Sequence, residues 1–475
     1  MTDLWWVRRD ARLGDNPALV EAQAGGAAAA VFAWTPALHC WSGRRRAHLA
    51  RVIWSLREDV GGALAVRRGE AADVVVAAAR EAGARVVWAA EEFSPSGVRE
   101  QAGVALALAA DGRELHLVGS PYAVAPGTVT KADGSEYRVF TPFYRAWADR
   151  AWADRAWGER AREGGGSGRP ATPADPSRFA PLPSDVSLDS EAARGDVDDL
   201  LGYPHEFGER RALDRLERFV GSSPVGSGLA GSGLVGIRPP GSDLAGSLLA
   251  RYGEDRDRPD LPGASGLSVA LAFGEIHPRT ILAATRDVPR PGARSFERQL
   301  AWRDFHADVL WRHPRALRES LAAVVPNDAW ASGAGADAAF MAWRDGLTGF
   351  PLVDAGMREL AATGVMHGRA RMVAASFLVK DLHLPWQRGA DLFRRRLLDY
   401  DHAQNQLNWQ WVAGTGRDAA PFHRIFNPEL QRARFDPERR YVERWVPELD
   451  TPAYPSPIVD HAAERRVALD ARGGR

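Results

Sequence analysis

The chain has 475 residues, which at roughly 100–200 residues per domain predicts two or three domains and ample material for a core. Its 61 Lys and Arg residues cancel its 61 Asp and Glu, so bulk cationic coating of nucleic acid is excluded and any DNA binding must come from a local patch. The single cysteine, Cys40, excludes an intramolecular disulfide and a cysteine-based zinc site, and no metal centre is expected. No apolar run approaches the ~18 residues of a membrane span, and Met1 to Asp10 lacks a signal-peptide core, so a cytoplasmic protein without membrane contact is predicted. Lys131 and Lys380 are the only lysines, an Arg bias that GC-rich codon usage accounts for as well as function does. Tryptophan stands out, with 17 against 8 tyrosines, which points to stacking on flat ligands or to electron transfer beyond ordinary core filling.

In chain order, Leu4–Val7, Ala29–Trp34, Ala63–Val66, Arg85–Ala89 and Glu114–Val118 read as short apolar strands. Between them, Arg44–Val60, Ala71–Ala82 and Val98–Ala110 carry apolar residues at helical spacing. This alternation predicts an α/β unit with a doubly wound parallel sheet over residues 1–125. Residues 145–160, RAWADRAWADRAWGER, repeat a five-residue unit that does not match the helical period, so a partly exposed helix without a specific role is expected. The stretch 126–205 reads as a connection between domains, rich in Gly, Pro, Ser and Asp from Gly164 onward.

Residues 221–247 form a Gly/Ser-rich insertion that contains Gly226-x-Gly228-x-x-Gly231. With neither strand nor helix around it, this dinucleotide-type fingerprint carries no binding prediction. From Leu248 to Pro447 the pattern is helical throughout, with Asp354 and Asp391 read as caps, so residues 206–465 are expected to form one large all-α domain.

Chemistry concentrates in that helical part. Asp354, Arg358, His367, Arg369, Arg371, Lys380, Asp381, Asp399 and Asp401 lie in apolar helical sequence, where isolated charges are costly and must pair with one another or with a ligand. Asp399-Tyr400-Asp401-His402-Ala403-Gln404-Asn405, followed by Trp409-Gln410-Trp411, suits a polar heterocycle.

The segments TGFPLVDAGMREL (348–360), RMVAASFLVKDL (371–382), LLDYDHAQNQLNWQWVAGTGRDAAPFHRIFNP (397–428) and VRRDARLGDNPAL (7–19) closely resemble the photolyase/cryptochrome family, and more narrowly its microbial cyclobutane pyrimidine dimer photolyases. The resemblance runs from Trp6 to about His461. It implies an N-terminal antenna domain, a long linker and a helical domain that holds FAD. By resemblance, Tyr252, Ala264, Ser265, Gly266, Leu267 and Ser268 line the FAD phosphates, where small residues let backbone N–H groups approach an anion. Phe296, Arg371, Asp399, Tyr400 and Asp401 then belong to the flavin pocket, and Asn405 faces flavin N5. Trp409, Trp386 and Trp330 fall on the family's electron-transfer chain, ordered from flavin to surface. Trp302, Trp411, Met372 and Gln299 match the pocket for the extruded lesion, and Arg256, Arg303, Gly368, Arg369, Arg424 and Gln431 match positions that contact DNA.

The departures from the family pattern bear on activity. Gln299 stands where dimer photolyases usually carry Glu, Gly368 replaces the Asn of a His-Asn-Arg triplet, Val365 a Trp, His423 a Phe, and Ala264 a Thr. A (6-4) photolyase fits worse, because that subfamily needs two histidines near positions 368 and 372, which are Gly and Met here. The resemblance implies light-driven splitting of pyrimidine dimers in UV-damaged DNA by a monomer, with a cryptochrome-like blue-light receptor and a repair-impaired paralogue as the alternatives. Cryptochrome receptors commonly carry a long C-terminal extension, and the end at Arg475 favours the enzyme. For a second, light-harvesting chromophore, Glu91–Arg99 lacks the Asn-Glu pair of folate binders, which places 8-hydroxy-5-deazaflavin ahead of methenyltetrahydrofolate, with Arg46 and Asp10 as candidate contacts.

Overall fold

Strand β1 (Leu4–Val7) is apolar and buried at every position, the pattern of a strand covered on both faces of a parallel sheet. In the computed structural model, which describes residues 2–153, 175–184, 206–221, 247–286, 288, 290–322, 330–419 and 424–473, β1 lies at the centre of an all-parallel sheet. The strands β2 (Ala28–Trp34), β3 (Leu64–Arg68), β4 (Val86–Ala89) and β5 (Glu114–Leu117) follow the order β3-β2-β1-β4-β5. A short β6 (Phe179–Ala180), which periodicity does not reveal, pairs with β2. The crossovers are α1 (Pro17–Ala24), α2 (Gly43–Asp59), α3 (Ala71–Ala82) and α4 (Pro95–Ala110). Each of the five anticipated strands is present within a residue or two, because a run of buried apolar residues between turn signals is a local property. Helix α1 starts at the Asn16 cap, whose side chain accepts from Leu19 N, with Pro17 in the first turn.

Contacts divide the chain into two compact units, one of residues 1–137, 141–250 and 265–311, the other of 138–140, 251–264 and 312–475. This division does not run at residues 125 and 206. Helices α5 (Phe140–Ala153), α6 (Glu209–Val220), α8 (Ser268–Phe273), α9 (Pro278–Thr285) and α10 (Arg290–Arg312) fall essentially within the sheet-bearing unit, while α7 (Leu248–Asp255) carries the chain out of it. Long-range bonds explain the difference: Val124 N donates to Asp304 Oδ2 at 2.9 Å, Gly127 N to Asp308 Oδ1 at 2.6 Å, and Arg303 Nη1 to Pro121 O at 2.8 Å. Helix α5 carries the described part of the tryptophan repeat as a partly exposed helix, with one tryptophan turned into the core. Trp147 is fully buried and donates through Nε1 to Asp304 Oδ2 at 2.9 Å. The remainder of the repeat, Gly226–Gly231 and most of the Gly/Ser insertion lie outside the described residues.

Burial pushes the carboxyl of Asp304 up to about 6, against the opposing effects of Arg303, Trp147 and Val124. At this group the folded protein binds more protons than the unfolded chain between about pH 4 and 6, so its contribution to stability is fully present below about pH 4 and is lost as pH rises through about 6, by about 3 kcal/mol at most. Asp304→Asn keeps an acceptor for Trp147 and Val124, and urea unfolding of this variant is expected to show a flatter stability profile between about pH 4 and 6 than the parent.

The second unit is helical, as anticipated for this part of the chain. It contains α11 (Ala334–Asp345), α12 (Pro351–Thr363), α13 (Gly368–Ser376), α14 (Trp386–Arg396), α15 (His402–Ala413), α16 (Pro428–Phe435), α17 (Arg440–Trp445) and α18 (His461–Gly473). A π-helical turn at Phe377–Asp381 follows α13. The core gathers Trp343, Phe350, Met357, Phe377, Trp386 and Trp409. Of the two acids read as caps, Asp354 sits in the first turn of α12 and accepts from Thr348 N, Thr348 Oγ1, Gly349 N and Tyr454 Oη at 2.6–3.0 Å. Asp391 is not a cap; it lies inside α14 and pairs with Arg394 and Arg395 on the surface. No described helix is long and apolar enough to cross a membrane.

Candidate functional site

Asp401 starts the most informative helix. Its Oδ1 accepts from Ala403 N at 2.9 Å and Gln404 N at 3.1 Å, capping α15, and Gly414 ends the helix in the left-handed conformation. The cap places Asn405, Trp409 and Gln410 on buried positions, whereas Trp411 is partly exposed. Both N–H groups of Asn405 are used within the protein, donating to Ala390 O at 3.0 Å and Gln406 Oε1 at 2.6 Å.

One pair forms among the charged residues singled out in this region. Arg371, on α13, donates from Nη2 to Asp399 Oδ2 at 2.8 Å and from Nε to Met366 O at 2.7 Å. The Asp399 side chain is 3% exposed, and its second oxygen, Oδ1, is buried without a partner among the described residues. A buried carboxylate oxygen beside a guanidinium suits a donor N–H from a bound polar heterocycle, since an orphaned buried acceptor is otherwise costly. The neighbouring Tyr400 is buried, its hydroxyl 2.9 Å from His402 Nδ1.

The other charges found partners elsewhere in sequence. Arg369 Nη2 pairs with Asp257 at 2.8 Å and its guanidinium lies 4.1 Å over the Phe435 ring. Arg358 pairs with Glu448, Lys380 donates to Arg424 O, and Asp381 bonds His461. His367 caps α13 through Nδ1, which accepts from Arg369 N at 3.1 Å, and burial lowers its pKa to about 4, so it is a neutral acceptor near pH 7. Gly368 follows it at the surface, and a Cβ there would meet nothing within 4 Å. Met372 is partly exposed one turn along the same helix.

Tyr252 is buried, with the Arg256 guanidinium 5.5 Å from its ring, and Ala264 is exposed. Trp386 and Trp409 are almost wholly buried, whereas Trp330 is only partly so. Trp386 Nε1 donates to Ser320 Oγ at 3.0 Å, and Trp409 packs edge-on to Phe393 at 5.1 Å. Gln431 is partly buried, with its Oε1 lacking a partner.

In the sheet-bearing unit, Ser265 Oγ accepts from Leu267 N at 3.3 Å ahead of α8, which begins at Ser268. Gly266 has φ +66°, which favours glycine, and its Cα faces the end of the Arg215 side chain, so that a Cβ there would lie 2.3 Å from Arg215 Nη1. Arg215, which local spacing does not flag, is thus the cation beside this loop. On α10, Phe296 is buried against Phe219 at 4.9 Å, while Gln299 and Trp302 are partly exposed three residues apart on one helical face. Gln299 makes only a long bond from Nε2 to Ser295 O at 3.4 Å.

Two residues anticipated as contacts have partners inside the protein. Arg303 is 8% exposed, bonds Pro121 O and Leu271 O and lies 4.6 Å over Tyr122. Asp10 is 1% exposed and accepts from Trp5 Nε1 at 3.0 Å and Arg8 N at 2.7 Å. Arg46 donates to His39 O at 3.3 Å.

A doubly wound α/β unit and a helical unit with a largely buried guanidinium–carboxylate pair suit a protein that binds a polar heterocycle, and the matches to known proteins say which. Residues 296–453 match the FAD-binding domain of DNA photolyase and residues 3–161 match the DNA photolyase domain. The chain belongs to the photolyase/cryptochrome family. It is 36% identical over 98% of its length to a deoxyribodipyrimidine photo-lyase of Thermus thermophilus, covering 97% of that protein. It is 34% identical to one of Halobacterium salinarum, covering 98% of each. The crystal structure of a bacterial class III photolyase from Agrobacterium tumefaciens is similar at a TM-score of 0.82 and 31% identity, over 100% of this chain and 98% of that one.

Proposed function

We propose that the protein is a light-driven repair enzyme that splits cyclobutane pyrimidine dimers in UV-damaged DNA, an enzyme of the deoxyribodipyrimidine photo-lyase class. The observation that carries this reading is the buried Asp399, ion-paired to Arg371 with one oxygen unpartnered, within a region that matches the family's FAD-binding domain. FAD, when bound and reduced, supplies the electron that light drives onto the dimer and receives it back after the ring has opened. Asp399 Oδ1 would accept a hydrogen bond from a ring N–H of the flavin, and Arg371 orients that carboxylate. With both Asn405 N–H groups engaged by Ala390 and Gln406, its Oδ1 is the atom left to accept from an N–H at flavin N5. By the resemblance, the Ser265–Ser268 loop would hold the phosphates, and Arg215 is the cation beside that loop.

Trp411 and Met372 in the helical unit, and Trp302 in the sheet-bearing unit, are each assigned by the resemblance to contact with the lesion, where apolar surface offsets the few kcal/mol needed to unstack it. Gln299, weakly bonded to Ser295, hydrogen-bonds a pyrimidine carbonyl. Arg256, Arg369, Arg424 and Gln431 hold the DNA backbone, with Arg369 positioned by Asp257. Trp409, Trp386 and Trp330 relay electrons that reduce the flavin, in an order supported by the greater exposure of Trp330. The sheet-bearing unit takes the light-harvesting chromophore, of the deazaflavin type, with Arg46 as a contact.

The open space at Gly368 favours a second reading, a repair-impaired paralogue, because no side chain at this position reaches the lesion. The deciding experiment mixes photoreduced protein with a thymine-dimer oligonucleotide and follows thymine recovery under near-ultraviolet light. Light-dependent recovery is expected, and it should rise by up to about tenfold in Gln299→Glu, which restores a charged hydrogen bond worth about 1.5 kcal/mol. Gly368→Asn is expected to fold normally and to add to recovery. Dimer-selective binding without recovery would establish the impaired paralogue, and loss of selective binding as well would point to a photoreceptor.

A further inference from the structure

A cavity of about 560 Å³ lies within the helical unit between the segment from Ile425 to Gln431 and helix α18. Its volume falls within the range of about 300–1,000 Å³ that receives a small ligand or one residue of a polymer. Its lining is of two kinds: Ile425 and Phe426 present apolar and aromatic surface, while Gln431, His461, Arg465 and Arg466 are polar or basic. Arg465 and Arg466 are exposed, and among the described residues neither has an ion-pair partner.

The lining itself holds two guanidiniums and no carboxylate. Of the acids around it, Glu464 bonds His383, Asp381 bonds His461, Glu429 pairs with Arg432, and Asp460 caps the start of α18 by accepting from Ala462 N and Ala463 N. Two guanidiniums beside an aromatic ring and an amide form the donor set for a phosphodiester with its base stacked on the ring.

We infer that this cavity seats a nucleotide of the DNA strand flanking the lesion, with Arg465 and Arg466 on consecutive phosphates and Phe426 against a base. The inference rests on the reading that the protein acts on DNA. Its consequence is a backbone contact that is independent of sequence and of damage, which adds affinity and salt dependence but no lesion selectivity.

The test uses the full chain with bound FAD, a labelled duplex carrying one thymine dimer, the same duplex without it, and a short duplex trimmed to the lesion and its immediate neighbours. Dissociation constants are measured between about 50 and 200 mM salt. For Arg465→Ala/Arg466→Ala, affinity for both long duplexes is expected to fall about tenfold at the low-salt end by the same factor, and the log–log salt slope to shrink by about two, since each phosphate contact contributes about 0.9. The short duplex should show no difference, and a double Lys variant should restore most of the slope. Flavin absorbance and melting temperature report that the variant is folded.

An unchanged slope and affinity on the long duplexes would overturn the inference. Saturable binding of thymidine 5′-monophosphate that the double variant loses, with duplex binding unchanged, would also overturn it by assigning the cavity to a free nucleotide. If the parent protein binds both long duplexes equally, the repair reading fails while the salt slope still decides this one. If it binds no DNA, both fall.

Discussion

Replacing Asp399 with alanine should yield protein that folds but holds FAD about 100-fold more weakly. The carboxylate is almost fully buried, and its two oxygens differ: Oδ2 is paired with Arg371, and Oδ1 has no partner among the described residues. Removing it deletes a charge-assisted hydrogen bond to the ligand, worth about 1.5–3 kcal/mol, which at 1.4 kcal/mol per decade is about tenfold to 100-fold in affinity. It also leaves the Arg371 guanidinium without its counter-charge. Breaking a fully buried pair costs about 3–5 kcal/mol, and since the Arg371 side chain is 28% exposed we expect about 2 kcal/mol of lost stability. Fluorescence titration with FAD, alongside urea unfolding of the flavin-free protein, separates the two effects. Asp399→Asn, which keeps one acceptor oxygen, should lie between. Undiminished FAD affinity in the alanine variant would remove Asp399 from the flavin site.

Gly389→Ala is expected to cost about 3 kcal/mol and to impair photoreduction of the flavin. Helix α14 approaches α15 so closely at Gly389 that a Cβ there would lie 2.1 Å from Trp409 Cη2 and 2.6 Å from Leu378 Cδ2. Both neighbours belong to a filled core, so the added methyl must displace the indole or part the two helices. Because Trp409 is the innermost member of the proposed relay, a displaced ring should slow light-driven reduction as well as lower the melting temperature. Gly335→Ala on α11 is the control: nothing lies within 4 Å of its added Cβ, and a helical alanine should stabilise by about 0.5–1 kcal/mol. Equal melting temperatures and reduction rates for Gly389→Ala and the parent would sink the prediction.

These two sites differ in how far they could be read from the chain. The apolar strands follow from neighbours within a few residues and so are accessible to pattern and spacing, whereas the cap at Asp401 is not singled out, Asp354 and Asp391 being read as caps instead. The Arg371–Asp399 pair was legible as a requirement, since two charges in apolar sequence need partners, but its geometry was not. Asp257 as the partner of Arg369, Glu448 of Arg358, Tyr454 of Asp354 and Ser320 of Trp386 gave no local signal at all.

By itself the sequence determined the alternation of strands and helices, the helical character of the second half and the family, because period, caps and long motifs are properties of neighbouring residues. Tertiary structure alone decided which way a side chain faces. Arg303 turned inward because Pro121 and Leu271 present carbonyls to it, and Trp147 entered the core because Asp304 accepts its N–H. Gly389 became indispensable because Trp409 stands against it. In each case the deciding partner is distant in the chain, and it is the packing register of whole elements that brings it within reach.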